Sequence, residues 1–155
     1  MWRARKRLAA QAAEEMRHTD QSLSLFSLVV PPGAATPIHD HLAWGFVGLY
    51  RGEQAETVYQ RTDDGAHDDH ATLDVVQVNA LRPGDFYTLL PPDGDIHAVR
   101  TTSAEASISI HLLANDTGCV VRHAFDPARA HVRPFRSGYS NVACEVDVSG
   151  GSTGS

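Results

Sequence analysis

The most informative stretch of this 155-residue chain is Thr36-Pro37-Ile38-His39-Asp40-His41-Leu42-Ala43-Trp44-Gly45. His39 and His41 are two positions apart, and side chains at positions i and i+2 of a strand point to the same face. The pair could therefore chelate one metal ion. The spacing alone is a weak signal, because the chain contains nine histidines and such pairs also arise on ordinary polar strands.

The sequence on both sides of this stretch is typical of an all-β protein. Short runs of alternating or continuous apolar residues are separated by turns rich in Gly, Pro, Asn and Asp, a pattern that predicts a barrel or jelly roll. The predicted strands are Ser22 to Val30, Gly45 to Tyr50, Ala55 to Gln60, Leu73 to Val78, Asp85 to Leu90, Ile96 to Arg100, Ala106 to Leu113 and Cys119 to Phe125.

The two ends of the chain differ from this β-rich centre. Residues from Arg3 to Arg17 are rich in Ala, Glu, Leu and Arg and lack Gly and Pro, which predicts a short N-terminal helix. We therefore divide the chain into a helical segment (1–20), a barrel domain (21–147) and a small, polar, disordered tail (148–155).

Composition excludes several classes of partner. The formal net charge is -6, and the one basic cluster is the short run from Arg3 to Arg7, which argues against nucleic acid. No stretch approaches the roughly 20 apolar residues of a membrane span, so the expectation is a cytoplasmic protein that does not enter the membrane. In a reducing compartment, the widely spaced Cys119 and Cys144 are predicted to be free thiols.

Two motifs, in this order, resemble the signature motifs of the cupin family. The first is the His39-Asp40-His41 stretch, and the second is Pro92-Asp93-Gly94 followed after two residues by His97. The resemblance implies a double-stranded β-helix, or jelly-roll barrel, that holds one metal ion on His39, His41 and His97. Imidazole binds zinc, copper, iron and nickel alike, so the ligand type does not identify the metal.

The chain departs from most cupins at the position of the fourth ligand. A glutamate usually stands four residues after the second histidine of the first motif, and here Gly45 occupies that position. Three neutral nitrogen donors leave about three positions of an octahedral shell open, enough for a bidentate substrate and dioxygen.

This departure, with several short segments, resembles the thiol dioxygenases, in particular bacterial 3-mercaptopropionate and cysteine dioxygenases. The resemblance covers Ser22 to Asn141 and includes Trp44-Gly45, Ser109-Ile110-His111, His123-Ala124-Phe125-Asp126 and Ser137-Gly138-Tyr139-Ser140. It implies one non-haem iron(II) per chain, dioxygen as co-substrate, and oxidation of a small thiol to its sulfinate.

The resemblance also implies roles around the metal. Ser109 and His111 match an outer-sphere hydrogen-bond relay, although an ordinary buried strand pair is the alternative. The tyrosine that usually ends this relay is replaced by Leu113, which suggests a different or larger substrate, or a barrel that has lost the reaction. Arg122 stands where mercaptopropionate dioxygenases hold the substrate carboxylate, and a surface strand arginine is the alternative.

The remaining candidates carry weaker signals. Trp44 is predicted to form part of the substrate pocket or to fill the core, and Tyr87 reads as an ordinary strand aromatic. Arg133 and Arg136 are second choices for binding a carboxylate. His67 and His70 lie in an acidic stretch that is best explained as a solvated hairpin loop.

Three functions remain open from the sequence. The first is an iron(II) dioxygenase for a small, carboxylate-bearing thiol. The second is a cupin isomerase or lyase that uses the metal as a Lewis acid on a small acid, and the third is a non-enzymatic cupin that binds a small ligand. The chain is expected to act as a monomer or homodimer.

Overall fold

The computed structural model describes residues 11–17 and 22–144 and contains eleven strands in that part of the chain. Their bounds are β1 Gln11–Arg17, β2 Leu23–Val30, β3 Ile38–His39, β4 Gly45–Arg51, β5 Gln54–Arg61, β6 Leu73–Leu81, β7 Phe86–Leu89, β8 Ile96–Thr101, β9 Ser107–Ala114, β10 Arg122–Asp126 and β11 His131–Phe135. None of the described residues forms a helix long and apolar enough to span a bilayer.

The strands form two sheets. One has five strands in the order β1-β2-β9-β4-β7, and the other has six in the order β11-β10-β3-β8-β5-β6. The named strand pairs are all antiparallel. The predicted all-β architecture is therefore confirmed.

Alternation along the strands separates the interior from the surface. In β9, the side chains of Ser107, Ser109, His111 and Leu113 are buried, whereas those between them are more exposed. An apolar cluster of Phe26, Val47, Leu89 and Leu113 forms the core of the five-stranded sheet. On the six-stranded sheet, the buried positions include the charged or ionisable residues His39, Glu56, His97 and Arg122, which lie in or beside the candidate site.

The predicted N-terminal helix is wrong where the structure describes it. Gln11–Arg17 forms strand β1, which pairs with β2 from Gln11 opposite Val29 to Arg17 opposite Ser24. Helix propensity is a weak local preference, and the unpaired edge of β2 offers this segment a row of backbone hydrogen bonds. Residues 3–10 and the predicted tail 148–155 lie outside the described residues.

The prediction of free thiols is also wrong. Cys119 and Cys144 form a disulfide, and their Cα atoms are 5.2 Å apart. The two residues are 25 positions apart in the chain, and no local motif marks them as a pair. The segment after β11 folds back toward the loop before β10, which brings them together.

Candidate metal centre

Three histidines meet between the two sheets. His39 ends β3, His41 lies in the loop after it, and His97 is on β8, directly opposite His39 in the strand register. One possible ligand atom from each side chain lies within 4.8 Å of the others, and all three residues are buried. The three predicted ligands are thus brought together, but His41 lies beyond the strand that was expected to carry the pair.

In two of the histidines, a hydrogen bond occupies one ring nitrogen and leaves the other available to bind a ligand. The Nδ1 atom of His39 is 2.9 Å from the carbonyl oxygen of Pro37, and the Nδ1 atom of His97 is 2.8 Å from Oε1 of Glu56. A proton on each Nδ1 atom satisfies these acceptors and leaves Nε2 as a lone-pair donor. Burial is also the main cause that lowers the pKa of His39 and of His41 well below the ordinary value, which favours neutral imidazoles.

This donor set fits a divalent transition metal. Nε2 of His41 and Nε2 of His97 face each other at 3.1 Å. Two nitrogen ligands at right angles around a metal, each about 2.1 Å from it, would be separated by about 3 Å. Nδ1 of His41 is buried and has no hydrogen-bond partner among the described residues. The residues present can therefore hold such an ion through three imidazole nitrogens.

Two aspartates fix the loop that carries His41. The carboxylate of Asp95 accepts the backbone N–H groups of His41, at 3.1 Å, and of Leu42, at 2.8 Å. Leu42 has a φ of 53°, a conformation that costs energy for a residue with a Cβ. The carboxylate of Asp40 accepts the backbone N–H of His123 at 2.7 Å and lies 2.6 Å from its Nδ1 atom. Asp40 thereby ties the loop to β10.

Glu56 is a buried residue beside the histidines that sequence reasoning missed. It lies on β5, is 2% exposed, and contacts Nδ1 of His97 through Oε1. Its other oxygen, Oε2, accepts a hydrogen bond from Nδ2 of Asn79 at 2.9 Å. The strong burial of a glutamate is visible only once β5 is paired between β8 and β6.

A cavity of about 50 Å³ opens beside the three histidines. Both sheets contribute to its wall, which consists of Phe26, Leu28, Thr36, Pro37, His39, His41, Tyr87, His97, Val99, His111, Arg122, Phe135 and Ser137. Two of the predicted outer residues, His111 and Arg122, thus line the same cavity as the three histidines.

Arg122 is a buried cation in this wall. It is 3% exposed and donates hydrogen bonds to the carbonyl oxygens of Thr117 and Asp40 and to Oγ of Ser137, at 3.1, 2.7 and 2.9 Å. Its guanidinium lies over the ring of Phe135, 4.9 Å from the centroid. Burial lowers the pKa of Arg122 to about 10, so it remains charged near neutral pH. Among the described residues, no carboxylate forms an ion pair with it.

Ser109 and His111 lie on β9, and Oγ of Ser109 is 2.9 Å from Nε2 of His111. The imidazole stacks on Phe26 with ring centroids 4.7 Å apart. Burial, with smaller contributions from His97 and Arg122, lowers the pKa of His111 to about 3. Nδ1 of His111 is buried and has no hydrogen-bond partner among the described residues. His111 is therefore a neutral imidazole with one uncommitted nitrogen.

Trp44 and Tyr87 do not lie where the sequence predicted them. Trp44 is 52% exposed, packs edge-on against Phe46, and does not line the cavity, so it neither walls the pocket nor fills the core. Tyr87, predicted as an ordinary strand aromatic, does line the cavity, and its ring centroid is 5.8 Å from that of His97. Burial raises the pKa of Tyr87 well above its ordinary value. No described residue forms a hydrogen bond with its hydroxyl.

The weaker candidates lie away from this cavity. His67 and His70 are exposed in the loop between β5 and β6, and Arg133 and Arg136 are exposed near β11. Within the described residues, the three buried histidines are the one group of His, Cys, Asp and Glu side chains placed to hold a metal ion.

Comparison with known proteins identifies the fold. No protein-family model matches the chain. A cupin 2 domain-containing protein from Halorhodospira halophila matches with a TM-score of 0.52 and 17% identity, over 83% of this chain and 70% of that one. The cupin domain of Schizosaccharomyces pombe Cnp3 gives 0.51 and 15%, over 68% of this chain and 61% of that one.

A third similar structure is a recombinant oxalate oxidase in complex with glycolate. Its TM-score is 0.52 at 16% identity, over 70% of this chain and 52% of that one. The chain thus spans 61% of the Cnp3 domain and about half the length of the oxidase. At these identities the similarity shows the fold alone, and that fold is the cupin barrel.

Proposed function

We propose that this chain is a mononuclear non-haem iron(II) dioxygenase that oxidises a small thiol bearing a carboxylate to its sulfinate. One observation carries the proposal: three buried imidazoles and a buried guanidinium without an ion-pair partner line one small cavity. The reaction adds both atoms of dioxygen to the sulfur, converting R–S⁻ and O₂ to R–SO₂⁻. It requires no further reductant.

The size and charge of the cavity indicate the substrate class. A volume of about 50 Å³ corresponds to roughly four water-sized positions and favours a short thiol over the larger substrate that Leu113 suggested. Arg122 supplies a fixed positive charge in the wall of this cavity, and a carboxylate can accept two parallel N–H bonds from one guanidinium. The proposed substrate therefore has a thiol and a carboxylate joined by a short linker.

The residues of the chain have separable roles in this proposal. When bound, an iron(II) ion would supply open coordination positions for a thiolate and dioxygen. Arg122 orients the carboxylate and thereby the sulfur, which replaces a random encounter by proximity. His111 and Tyr87 line the same cavity, and the uncommitted ring nitrogen of His111 and the hydroxyl of Tyr87 are candidates for hydrogen bonds to substrate atoms. Phe26 and Phe135 give the cavity an apolar wall.

Oxygen uptake tests the proposal. Protein loaded anaerobically with ferrous iron is mixed with aerated 3-mercaptopropionate, or with a neutral thiol of similar size, and sulfinate is measured by mass spectrometry. We expect one O₂ consumed per sulfinate and a preference for the acid. Absence of uptake with every member of a panel of small thiols would eliminate the dioxygenase.

Substitution of the arginine tests how the substrate is recognised. Arg122→Gln should raise KM for the acid by at least about tenfold, because the substrate loses a charge-assisted hydrogen bond. KM for the neutral thiol should change little. Arg133→Gln, at an exposed position, is the matched control. Equal losses with both thiols would mean that Arg122 only supports the fold.

A second function is favoured by one specific observation: Tyr87, whose ring lies 5.8 Å from that of His97, lines the cavity and has no hydrogen bond from its hydroxyl to a described residue. A metal-dependent lyase or isomerase acting on a small acid could use this group for proton transfer. Such an enzyme would turn over without oxygen and would tolerate zinc or nickel. Turnover of a small acid by the anaerobic zinc form would therefore support this second function over the first.

A further inference from the structure

The carboxylate of Glu56 lies between a candidate metal ligand and the edge strand of its sheet. Glu56 is directly opposite Asn79 of β6 in the strand register, and His97 of β8 is opposite Val58, two positions further along β5. Residues two apart on a strand share a face, so the three side chains line up across adjacent strands. The resulting hydrogen-bonded chain runs from Asn79 through Glu56 to Nδ1 of His97.

The charge of Glu56 is not balanced by a permanent cation. Among the described residues its one ion-pair partner is His97, and no Lys or Arg reaches it. A buried carboxylate without compensation is costly, and removing the partner from such a pair is strongly destabilising. Nε2 of His97, on the opposite side of the ring, faces Nε2 of His41. A cation at Nε2 would therefore compensate the carboxylate through the imidazole.

We propose that Glu56 is a positioning residue that sets the metal affinity of the centre through His97, and that Asn79 holds Glu56 in place. The inference rests on the proposed function only in taking the three histidines as metal ligands. Oε1 of Glu56 keeps the proton of His97 on Nδ1, directs Nε2 toward the other histidines, and increases the basicity of the ring. Asn79 occupies Oε2, so the carboxylate does not rotate away.

This arrangement compensates for the carboxylate that most cupins carry at the position of Gly45. A Cβ at Gly45 would contact the Leu113 side chain and come within 2.5 Å of the Leu112 carbonyl oxygen, so a glutamate does not fit there. Glu56 instead supplies a negative charge through its hydrogen bond to Nδ1 of His97, and not as a direct metal ligand. The centre thereby gains electrostatic stabilisation and keeps the coordination positions that a direct carboxylate ligand would occupy.

Metal titration tests the inference without thiol or dioxygen. Wild-type protein, Glu56→Gln and Glu53→Gln are titrated anaerobically with Co(II) and with Fe(II) by calorimetry. Glu53 is an exposed glutamate just before β5 and serves as the matched control. We expect Kd to rise by about 10–100-fold in Glu56→Gln, the usual effect of losing such an outer partner, and to remain within about twofold in Glu53→Gln.

Two further readouts separate positioning from a structural role. The visible d–d bands of bound Co(II) report ligand basicity and should shift in Glu56→Gln but not in Glu53→Gln. Asn79→Ala keeps the carboxylate and removes one hydrogen bond, so it should weaken binding less than Glu56→Gln does. Thermal unfolding of the metal-free protein shows whether Glu56→Gln folds. If it does not, the test uses Asn79→Ala, for which we expect a rise in Kd for the metal and a shift of the Co(II) bands.

The inference is overturned if folded Glu56→Gln binds Co(II) with wild-type affinity and an unchanged spectrum. If only Asn79→Ala folds, the inference is overturned when Asn79→Ala binds Co(II) with wild-type affinity and an unchanged spectrum. Its failure is distinguishable from failure of the proposed function. A wild-type protein that binds iron but oxidises no thiol would eliminate the dioxygenase and leave the role of Glu56 testable. Conversely, if the wild type oxidises thiol but Glu56→Gln binds metal as tightly as the wild type does, the role of Glu56 is eliminated and the dioxygenase is retained.

Discussion

At the level of single residues, the packing of Leu113 accounts for the glycine at position 45. They are register partners on β4 and β9, and Leu113 is fully buried in the apolar cluster. A Cβ at position 45 would meet the Leu113 side chain and lie 2.9 Å from its Cα atom. The absence of a side chain at position 45 and the leucine at position 113 are therefore one packing solution.

This close contact predicts a large effect of a small substitution. Gly45→Ala should destabilise the metal-free protein by about 1–3 kcal/mol, the usual cost of overpacking a core. Gly48→Ala, on the same strand, is the control, because a Cβ there meets nothing nearer than the carbonyl oxygen of Asp85 at 4.0 Å. Urea unfolding measures both. Equal stability of the two variants would contradict the close packing at Gly45.

The residues of the site were predictable from sequence to different degrees. His39, His41 and His97 belong to short motifs, so their convergence could be predicted. His111 and Arg122 followed from the resemblance. Glu56 belongs to no motif: its burial and its contact with His97 depend on strand pairings across 41 residues of sequence, which local patterns do not encode.

At the level of elements, the segment after β11 closes one side of the cavity. Ser137 accepts a hydrogen bond from Arg122, and the hydroxyl of Tyr139 accepts the backbone N–H of Gly118 at 2.9 Å. The disulfide between Cys119 and Cys144 joins the end of this segment to the loop before β10. The wall of the cavity is therefore held by a covalent bond and by several hydrogen bonds.

Reduction of the disulfide should weaken this wall. We expect reductant to lower the free energy of unfolding by about 2–4 kcal/mol, as for other disulfides that close loops of this length. The double variant Cys119→Ser, Cys144→Ser should show the lower stability and no response to reductant. Detection of two free thiols in protein purified without reductant and then unfolded would contradict this pairing.

The half-buried phenol of Tyr139 predicts a dependence of stability on alkaline pH. Burial raises its pKa from 10.0 to about 12, because the anion is poorly solvated against Phe26. The resulting stabilisation is complete below pH 10, the unfolded value, and is lost as the pH rises from about 10 to about 12. Urea unfolding across this range should show a smaller decline in Tyr139→Phe than in wild type. Identical declines would exclude the buried phenol as a cause.

Sequence patterns failed where pairing with a neighbour overrides local preference. Ala and Glu favour a helix, yet Gln11–Arg17 pairs along β2. β3 comprises two residues and carries His39 but not His41, although the spacing of the two histidines led us to expect both on one strand. The longer strands were predictable because alternation is a direct consequence of one buried face, and most of their observed bounds lie within a few residues of the predicted ones.

At the level of the whole molecule, both sheets contribute residues to the candidate site. The five-stranded sheet contributes the apolar cluster, His111 and Tyr87, and the six-stranded sheet contributes His39, His97, Glu56 and Arg122. His41 lies in the loop after β3. Buried polar groups reduce stability unless they are paired, and among the described residues two imidazoles, those of His41 and His111, leave a buried Nδ1 atom without a hydrogen-bond partner. That arrangement is typical of a site that acquires its partners by binding.

The iron content of three proteins tests the central claim most directly. Wild type, His97→Ala and His67→Ala are loaded anaerobically with ferrous iron, desalted and analysed by atomic emission. The predicted result is one ion per chain in wild type and in His67→Ala, where the histidine is exposed in a loop, and none in His97→Ala. Stoichiometric iron in His97→Ala would contradict the three-histidine centre.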